Sequence, residues 1–559
     1  MQKYLLTSTL TFFFLGQAIS QSINPQILWA TYFGSQGEDW AGCVETDLDN
    51  NIYITSTVKN GAPTTAGVHQ TTYGGGVSDV MLSKFDKNGA LLWSTYFGGS
   101  GEDINYFPIS LLSDGGIVIT GTTSSTSKIA TNGVHDTTYG GGTSDIYLAV
   151  FEPTGKLRWS SYFGGEEIDG EPGIAVDKSD NIYLVGYTLS KLYISTANSF
   201  QPASKGSYEG FCAKFDKNGR LIWSTYYGGV GSDAFYSVAI DSEDNLYLGG
   251  DMNSAQLATA GSFKQNYGGN GDGLLVKFNK DGERIWATYF GSGGLDEIYY
   301  VKADHQDNIY IMGLTTSKSG IASSGAYSSQ NAGEEDIFLA KFNAKGERIW
   351  STFIGGEGLD TTYGCDFDKD NNIYLAIMTQ SLSFPITENV PSIYYNGGTW
   401  DAVFVKFSKD GELKWSTYLG GDGNDRAIGI TLDSELNIIA SVNSDSKGLA
   451  TAGAYSEGPG SRDALLVKMK DATIVNTQEL EKLSPLHVYP NPTTSIIYIP
   501  NLNHGNRNII VYNSSGEMVI RYINTEKIEF DISSLPNGQY FIVAETPEKI
   551  SVAKVIKVE

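Results

Sequence analysis

Apolar residues in this chain come in short runs broken by Gly, Asn, Asp and Ser. Asn181-Ile182-Tyr183-Leu184-Val185-Gly186 and Asp336-Ile337-Phe338-Leu339-Ala340-Lys341-Phe342 are typical. Branched and aromatic side chains fill the runs, and no segment sustains a 3.6-residue period. The pattern therefore predicts strands and almost no helix. The runs recur in a fixed order. Strand a, such as Gly173-Ile174-Ala175-Val176-Asp177, leads through a polar turn (Lys178-Ser179-Asp180) to strand b. A long Gly/Ser/Thr loop leads to strand c, and a turn such as Asp216-Lys217-Asn218-Gly219 leads to strand d, which carries a Trp. Asn-Gly and Asp-Gly turns supply the positive φ that tight hairpins need.

The repeat is marked by seven Trp, at Trp29, Trp93, Trp159, Trp223, Trp286, Trp350 and Trp415, spaced 63 to 66 residues apart. Each opens a variant of Trp93-Ser94-Thr95-Tyr96-Phe97-Gly98-Gly99. Four antiparallel strands repeated seven times predict an all-β, seven-bladed β-propeller. The first unit begins with a d-type strand, Ile27-Leu28-Trp29-Ala30-Thr31-Tyr32-Phe33, and the last stops after strand c, Leu465-Leu466-Val467-Lys468-Met469. The N-terminal outer strand is thus expected to complete the last blade and close the ring, pairing an edge otherwise left open. The units resemble the SBBP β-propeller repeats of secreted bacterial proteins, through W-S-T-Y-[FY]-G-G, D-x-x-x-N-[IL]-Y and [DE]-x-[FL]-[LV]-[AV]-K-F. That resemblance implies a fold, and a propeller hosts many activities.

The two ends read differently. Residues 1–20 hold Lys3, an apolar run and Ala18-Ile19-Ser20, the pattern of a secretory signal peptide, with no Cys at the cleavage site for a lipid anchor. No run is long enough to span a bilayer as a helix. The propeller is expected over 21–470, a polar linker over 471–484 and a small β-sandwich of alternating strands over 485–559. The last segment resembles the type A C-terminal sorting domain of type IX secretion cargo in Bacteroidetes, through Tyr489-Pro490-Asn491-Pro492-Thr493, Asn513-Ser514-Ser515-Gly516-Glu517, Leu535-Pro536-Asn537-Gly538-Gln539-Tyr540 and the basic ending Lys554 to Lys557. The resemblance implies export across the outer membrane, release or attachment at the surface, and the type IX secretion machinery as a partner.

Composition narrows the function. Acidic residues outnumber basic ones 63 to 38, a net charge of −25, which argues against nucleic acid as a partner. Cys43, Cys212 and Cys365 are odd in number and far apart, and read as buried apolar side chains. The five His form no zinc or triad spacing, and His69 and His135 occupy equivalent repeat positions. No glycine-rich loop opens a helix.

Acids carry most of the remaining signal. An Asp stands ten residues after every repeat Trp, at Asp39, Asp103, Asp169, Asp233, Asp296, Asp360 and Asp425. A second acid opens each strand c, at Asp79, Asp145, Glu209, Asp272, Asp336, Asp401 and Asp463. These rings point to a cation site or, the favoured reading because every unit has them, to turn carboxylates accepting loop N–H bonds. Asp366, Asp368 and Asp370 have the D-x-D-x-D spacing of oxygen-rich loops and raise calcium as the one cofactor, without the distal Glu such loops use. Asx-type turns are the competing explanation.

Some positions break the symmetry. Eleven residues after the repeat Trp stand Trp40, Ile104, Gly170, Ala234, Glu297, Thr361 and Arg426. Before the strand-c acids stand Ser78, Ser144, Tyr208, Gly271, Glu335, Trp400 and Arg462. Trp40, Trp400, Arg426 and Arg462 therefore fall at equivalent loop positions in blades 6, 7 and 1, with Tyr394 and Tyr395 in the blade-6 loop. Aromatics with Arg are the composition of a recognition surface, and loop packing is the alternative. The expectation is a secreted or cell-surface, non-catalytic binding protein for an extracellular glycan or protein held on the loop face of the propeller. A propeller polysaccharide lyase or hydrolase, and a structural matrix component, are the alternatives.

Overall fold

The computed structural model describes residues 25–105, 108–388, 390–471, 484–499, 507–514, 518–525, 528–545 and 550–558. The expected signal peptide and nearly all of the expected linker lie outside them. Two compact units divide the chain, one over Ile27–Lys470 and one holding the C-terminal segment from Asp471.

The larger unit is built of seven antiparallel sheets, each in the order a-b-c-d. Sheet 1 comprises Trp40–Thr46, Ile52–Val58, Asp79–Phe85 and Leu91–Phe97. In sheet 2 strand a is split into Asp103–Ile104 and Ile109–Leu111. Strands a of sheets 3 to 6 are Asp169–Val176, Asp233–Ile240, Asp296–Ala303 and Asp360–Phe367. In sheet 7, strands Asp425–Leu432, Asn437–Ser444 and Asp463–Lys470 are joined by Gln26–Phe33, which pairs with the last of them. Each strand a touches strand a of the next sheet, and that of sheet 7 touches that of sheet 1. There, Ser441 donates to the Gly42 carbonyl at 2.7 Å.

The sequence motifs explain the joints. Six repeat Trp pack on the Gly of the next sheet's c–d turn and donate their indole N–H to a carbonyl of that turn, over 2.9–3.3 Å. Gly219 shows why that residue is required: its φ is +78°, and a Cβ would meet the Trp159 ring at 2.7 Å. Trp415 is the exception, with a buried, unpartnered Nε1. Its neighbour is sheet 7, whose strands c and d come from opposite ends of the chain and share no hairpin turn.

The D-x-x-x-N-[IL]-Y motif closes the a–b turn. Asp177 accepts from Asn181 and, at 3.1 Å, from the Tyr183 hydroxyl, with Lys214 at 3.7 Å. Lys214 also stands over the Tyr183 ring. This cluster recurs around Asp47, Asp241 and Asp368, while Asp304 keeps Asn308 and Lys341, and Asp433, with Ile439 in place of the Tyr, keeps Asn437 and Lys468.

In the C-terminal unit a five-stranded sheet and a two-stranded sheet (Ile496–Tyr498 with Glu529–Asp531) share an apolar cluster that includes Ile497, Val511, Phe530 and Ile542. Among the described residues no helix is long and apolar enough to cross a membrane.

Candidate functional site

Both acid rings are buried, every member at most 4% exposed. The first ring fastens the loop after strand d. Asp360 accepts from Gly356 N at 2.7 Å and Ser381 Oγ at 2.9 Å, and Asp425 from Gly421 N at 2.8 Å and Ser446 Oγ at 2.7 Å. The second ring fastens the b–c loop, as Asp401 does by accepting from Asn396 N at 2.7 Å. The two rings meet in pairs. A Cβ on Gly420 would lie 2.7 Å from Asp401 Oδ1 and 2.8 Å from Asp425 Oδ2, so only glycine fits between them. Burial raises Asp79, Asp145 and Asp401 to about 7, against the loop N–H each accepts, and the paired carboxylate raises them further. These acids are internal fasteners in every sheet, which is the turn-carboxylate expectation.

Asp366, Asp368 and Asp370 do not gather around a cation position. Asp368 is the turn acid of sheet 6, accepting from the backbone N–H of Asp370 and Asn372 and from the Asn372 side chain, with Lys406 at 3.5 Å. Asp366 binds Lys302 at 2.6 Å and Leu432 N at 2.8 Å instead, and Asp370 is exposed. Among the described residues no group of three or more His, Cys, Asp or Glu could hold a metal ion. The spacing that suggested calcium is a turn motif beside an unrelated ion pair.

The innermost strands build the site. In six sheets strand a slips register, between Ala41/Val44, Gly170/Gly173, Phe235/Ser237, Ile298/Tyr300, Thr362/Gly364 and Ala427/Gly429. Such bulges re-aim side chains. The residues they skip include Cys43, Glu171, Tyr236, Tyr299, Tyr363 and Ile428, and all six line one pocket of about 610 Å³. Glu171 sits at φ +49°, in the left-handed region an L side chain rarely adopts.

The pocket has two unlike walls. On one, the Tyr236 hydroxyl donates to Asp251 and the Tyr299 hydroxyl to Glu297, both at 2.6 Å. Tyr299 stacks on Tyr363 with ring centres 5.9 Å apart and planes 7° apart. Burial raises Asp251 to about 7, against its tyrosine bond and with Glu297 adding repulsion, and burial followed by Glu297 raises Glu171. On the other wall, Trp40 and Arg426 line the pocket with Asn443. Arg426 stands between Trp40 and Trp400, 5.8 and 5.5 Å from the two rings. Arg462 lies 4.7 Å from the Trp40 ring and 3.7 Å from Asp445. The Arg426 Nε and Asn443 Nδ2 atoms are buried without a partner.

The four symmetry-breaking residues thus form one cation–π cluster, of which Trp40 and Arg426 reach the pocket. Tyr394 and Tyr395 do not join it. Tyr395 packs edge-on against Tyr418 with its hydroxyl 3.4 Å from the Gly398 carbonyl, and Tyr394 is exposed. The acidic wall escaped the sequence reading. A signal existed, because thirteen residues after the repeat Trp stands Tyr106, Tyr236, Tyr299 and Tyr363 in four of the seven units. Tyr106 itself lies outside the described residues.

The family described as a secretion system C-terminal sorting domain matches residues 487–558, and the one described as a beta-propeller repeat matches residues 158–194. An uncharacterized WD repeat-containing protein of Acanthamoeba polyphaga mimivirus is 21% identical over 75% of this chain and 36% of its own. The regulatory protein FlaEY of Caulobacter vibrioides is 22% identical over 57% of this chain and 34% of its own. The chain spans about a third of the length of these curated relatives. Among solved structures, a polysaccharide lyase described as an ulvan lyase has a TM-score of 0.40 at 11% identity, covering 80% of this chain and 94% of that one. An α-L-arabinofuranosidase of Fusarium graminearum with arabinobiose has 0.33 at 7%, covering 80% and 98%. The chain carries a β-propeller repeat and, at its C-terminal end, the sorting domain of a protein secreted and attached at the cell surface through the type IX system.

Proposed function

We propose that the chain is a seven-bladed β-propeller, closed by Gln26–Phe33 and followed by a small β-sandwich, that works as a non-catalytic binding protein at the cell surface. Its ligand, a glycan or a protein, occupies the pocket between the innermost strands and contacts Trp40 and Arg426, with Trp400 and Arg462 holding that pair in place. One observation carries the reading. Four residues marked only by departing from the repeat come together in space, and their inner members line a pocket. A volume of about 610 Å³ lies in the range of small-ligand sites, and the concave shape suits a saccharide better than a folded protein surface.

The lyase alternative is less well supported. A lyase needs a base, and Tyr363, a phenol of the pocket lining, is raised by burial and then by Glu171 and Glu297. None of the described His lines the pocket. The hydrolase alternative needs a carboxyl at the ligand, and Asp251, raised to about 7 by burial, lies outside the pocket lining. A glycan array combined with a depolymerisation assay on the full chain separates the three readings. Retained ligand without new chain ends supports binding, new reducing or unsaturated ends mean an enzyme, and no ligand at all leaves the structural class.

A further inference from the structure

The acidic wall of the pocket holds Glu171 and Glu297, while Asp251, outside the lining, accepts from the lining Tyr236 hydroxyl, and none of the three makes an ion pair among the described residues. Asp251 and Glu297 are each held by a tyrosine hydroxyl, which fixes a carboxylate's position without neutralising it. Like charges gathered in a partly desolvated cleft are costly unless a cation enters. The three do not converge tightly enough for a bare metal ion. They are spread along a wall faced with the rings of Tyr236, Tyr299 and Tyr363. Aromatic faces beside carboxylates suit a larger organic cation, which meets ring quadrupoles and full charges together.

A second, independent observation lies across the pocket. Asn443 is 2% exposed, lines the pocket and has an unpartnered Nδ2. Its Oδ1 accepts from Ala41 N, so the orientation of the amide is fixed by the protein and the idle donor is left for something else. Arg426 Nε is idle on the same wall. A ligand that satisfies both walls carries acceptor oxygens on one side and a positive charge on the other, with an apolar face for Trp40.

The geometry points to a subsite for a protonated amino sugar: the ring amine on the Glu171–Glu297 wall and ring hydroxyls on Asn443 and Arg426. This rests on the binding reading above and names its ligand class. No bond is made or broken. An N-acetylated sugar keeps the ring and loses the charge, so it satisfies only one wall.

The test is calorimetric titration of the full chain with fully deacetylated glucosamine trimer and with its N-acetylated counterpart, on the unmodified protein and on Glu171→Gln, Glu297→Gln and Trp40→Ala. Melting curves run in parallel confirm that each variant is folded, and Glu→Gln keeps shape while removing charge. The expected result is that the amine form binds about tenfold or more tightly than the acetylated form, the scale of one charge-assisted contact, and that either Glu→Gln change abolishes the preference. Equal binding of both forms, weakened by Trp40→Ala and indifferent to Glu→Gln, overturns the amine subsite and leaves the binding reading standing. Binding of neither form at millimolar concentration also overturns it, and the array screen then decides the broader reading separately.

Discussion

Two sets of carboxylates in this protein lie close to other acids, yet they do opposite things. The fourteen ring acids, from Asp39 to Asp463, occupy the same two positions in all seven sheets, and each fastens a loop. Glu171 and Glu297 have no such repetition and face a pocket, with Asp251 bound to Tyr236 of its lining. Their exposure differs, since every ring acid is at most 4% exposed while Glu171 is exposed and Glu297 half-buried. Their partners differ as well: loop N–H groups and Ser or Thr hydroxyls in one case, tyrosine hydroxyls and an open cavity in the other. A repeat can multiply a structural device freely, whereas one ligand on the axis of unlike walls needs the repeat to be broken.

Removing Gln26–Phe33 is the largest perturbation, because the two regions share a scaffold only while the seven sheets are equivalent. It leaves the Asp463–Lys470 edge unpaired and removes Trp29 from the sheet-1 turn. Losing a packed aromatic alone typically costs ~3–5 kcal/mol, so a chain starting at Gly34 should melt far lower. An unchanged Tm would sink closure by this strand.

The fasteners come next. Asp360→Ala strands Gly356 N and Ser381 Oγ and should cost roughly 2–3 kcal/mol by denaturant titration, with ligand affinity kept. Asp169→Ala should behave alike in sheet 3. A ligand defect in either would erase the distinction between the two sets.

The pocket should respond in the reverse way. Trp40→Ala should weaken ligand by about 2 kcal/mol, and Trp400→Ala and Arg462→Ala more mildly, while Ser144→Ala, the sheet-2 equivalent, should not. Equal effects at all positions would make the asymmetry accidental.

A smaller effect reads the fasteners through pH. Asp79, Asp145 and Asp401 have folded values of about 7, above the ordinary 3.8, so the folded state binds more protons than the unfolded state between these limits. Stability should then rise as pH falls from about 7 toward about 4. The imidazoles of His69 and His135, lowered by desolvation, oppose this below their unfolded value. Below about 4 the turn acids Asp47, Asp177 and Asp241 reverse the trend, since Asn and Lys partners hold them low against burial. Replacing Asp79, Asp145 and Asp401 together by Asn should flatten the rise in Tm. A Tm that instead climbs steadily from pH 4 to 7 would contradict paired, proton-binding fasteners.

The smallest expected effect is none. A chain ending at Lys470 should keep both its cooperative unfolding and its ligand affinity, because the sorting domain forms a separate compact unit. Broadened unfolding would show that the two units depend on each other.

Much of the architecture was written in local sequence. The Trp period, the Asp–Asn–Tyr turn and the Gly of the c–d hairpin each act through partners a few positions away or one repeat on, so periodicity alone exposes them. The same locality explains the calcium expectation: Asp366, Asp368 and Asp370 look alike in sequence, but Asp366 lies in strand a and pairs with Lys302 of the neighbouring sheet, whereas Asp368 lies past the strand and binds its own turn. Trp40, Trp400, Arg426 and Arg462 were visible because departures from a repeat are visible. Glu171, Tyr236, Tyr299 and Tyr363 were not read as neighbours, because they meet only where strand a of one sheet packs on strand a of the next. Their convergence depends on two things no short window contains: a bulge that turns each side chain inward, and the succession of sheets that brings residues about one repeat apart into one cavity. Strand, turn and repeat follow from near-neighbour hydrogen bonding and were fixed by the chain itself, whereas the contents of the pocket follow from packing among all the sheets and were decided only when they met.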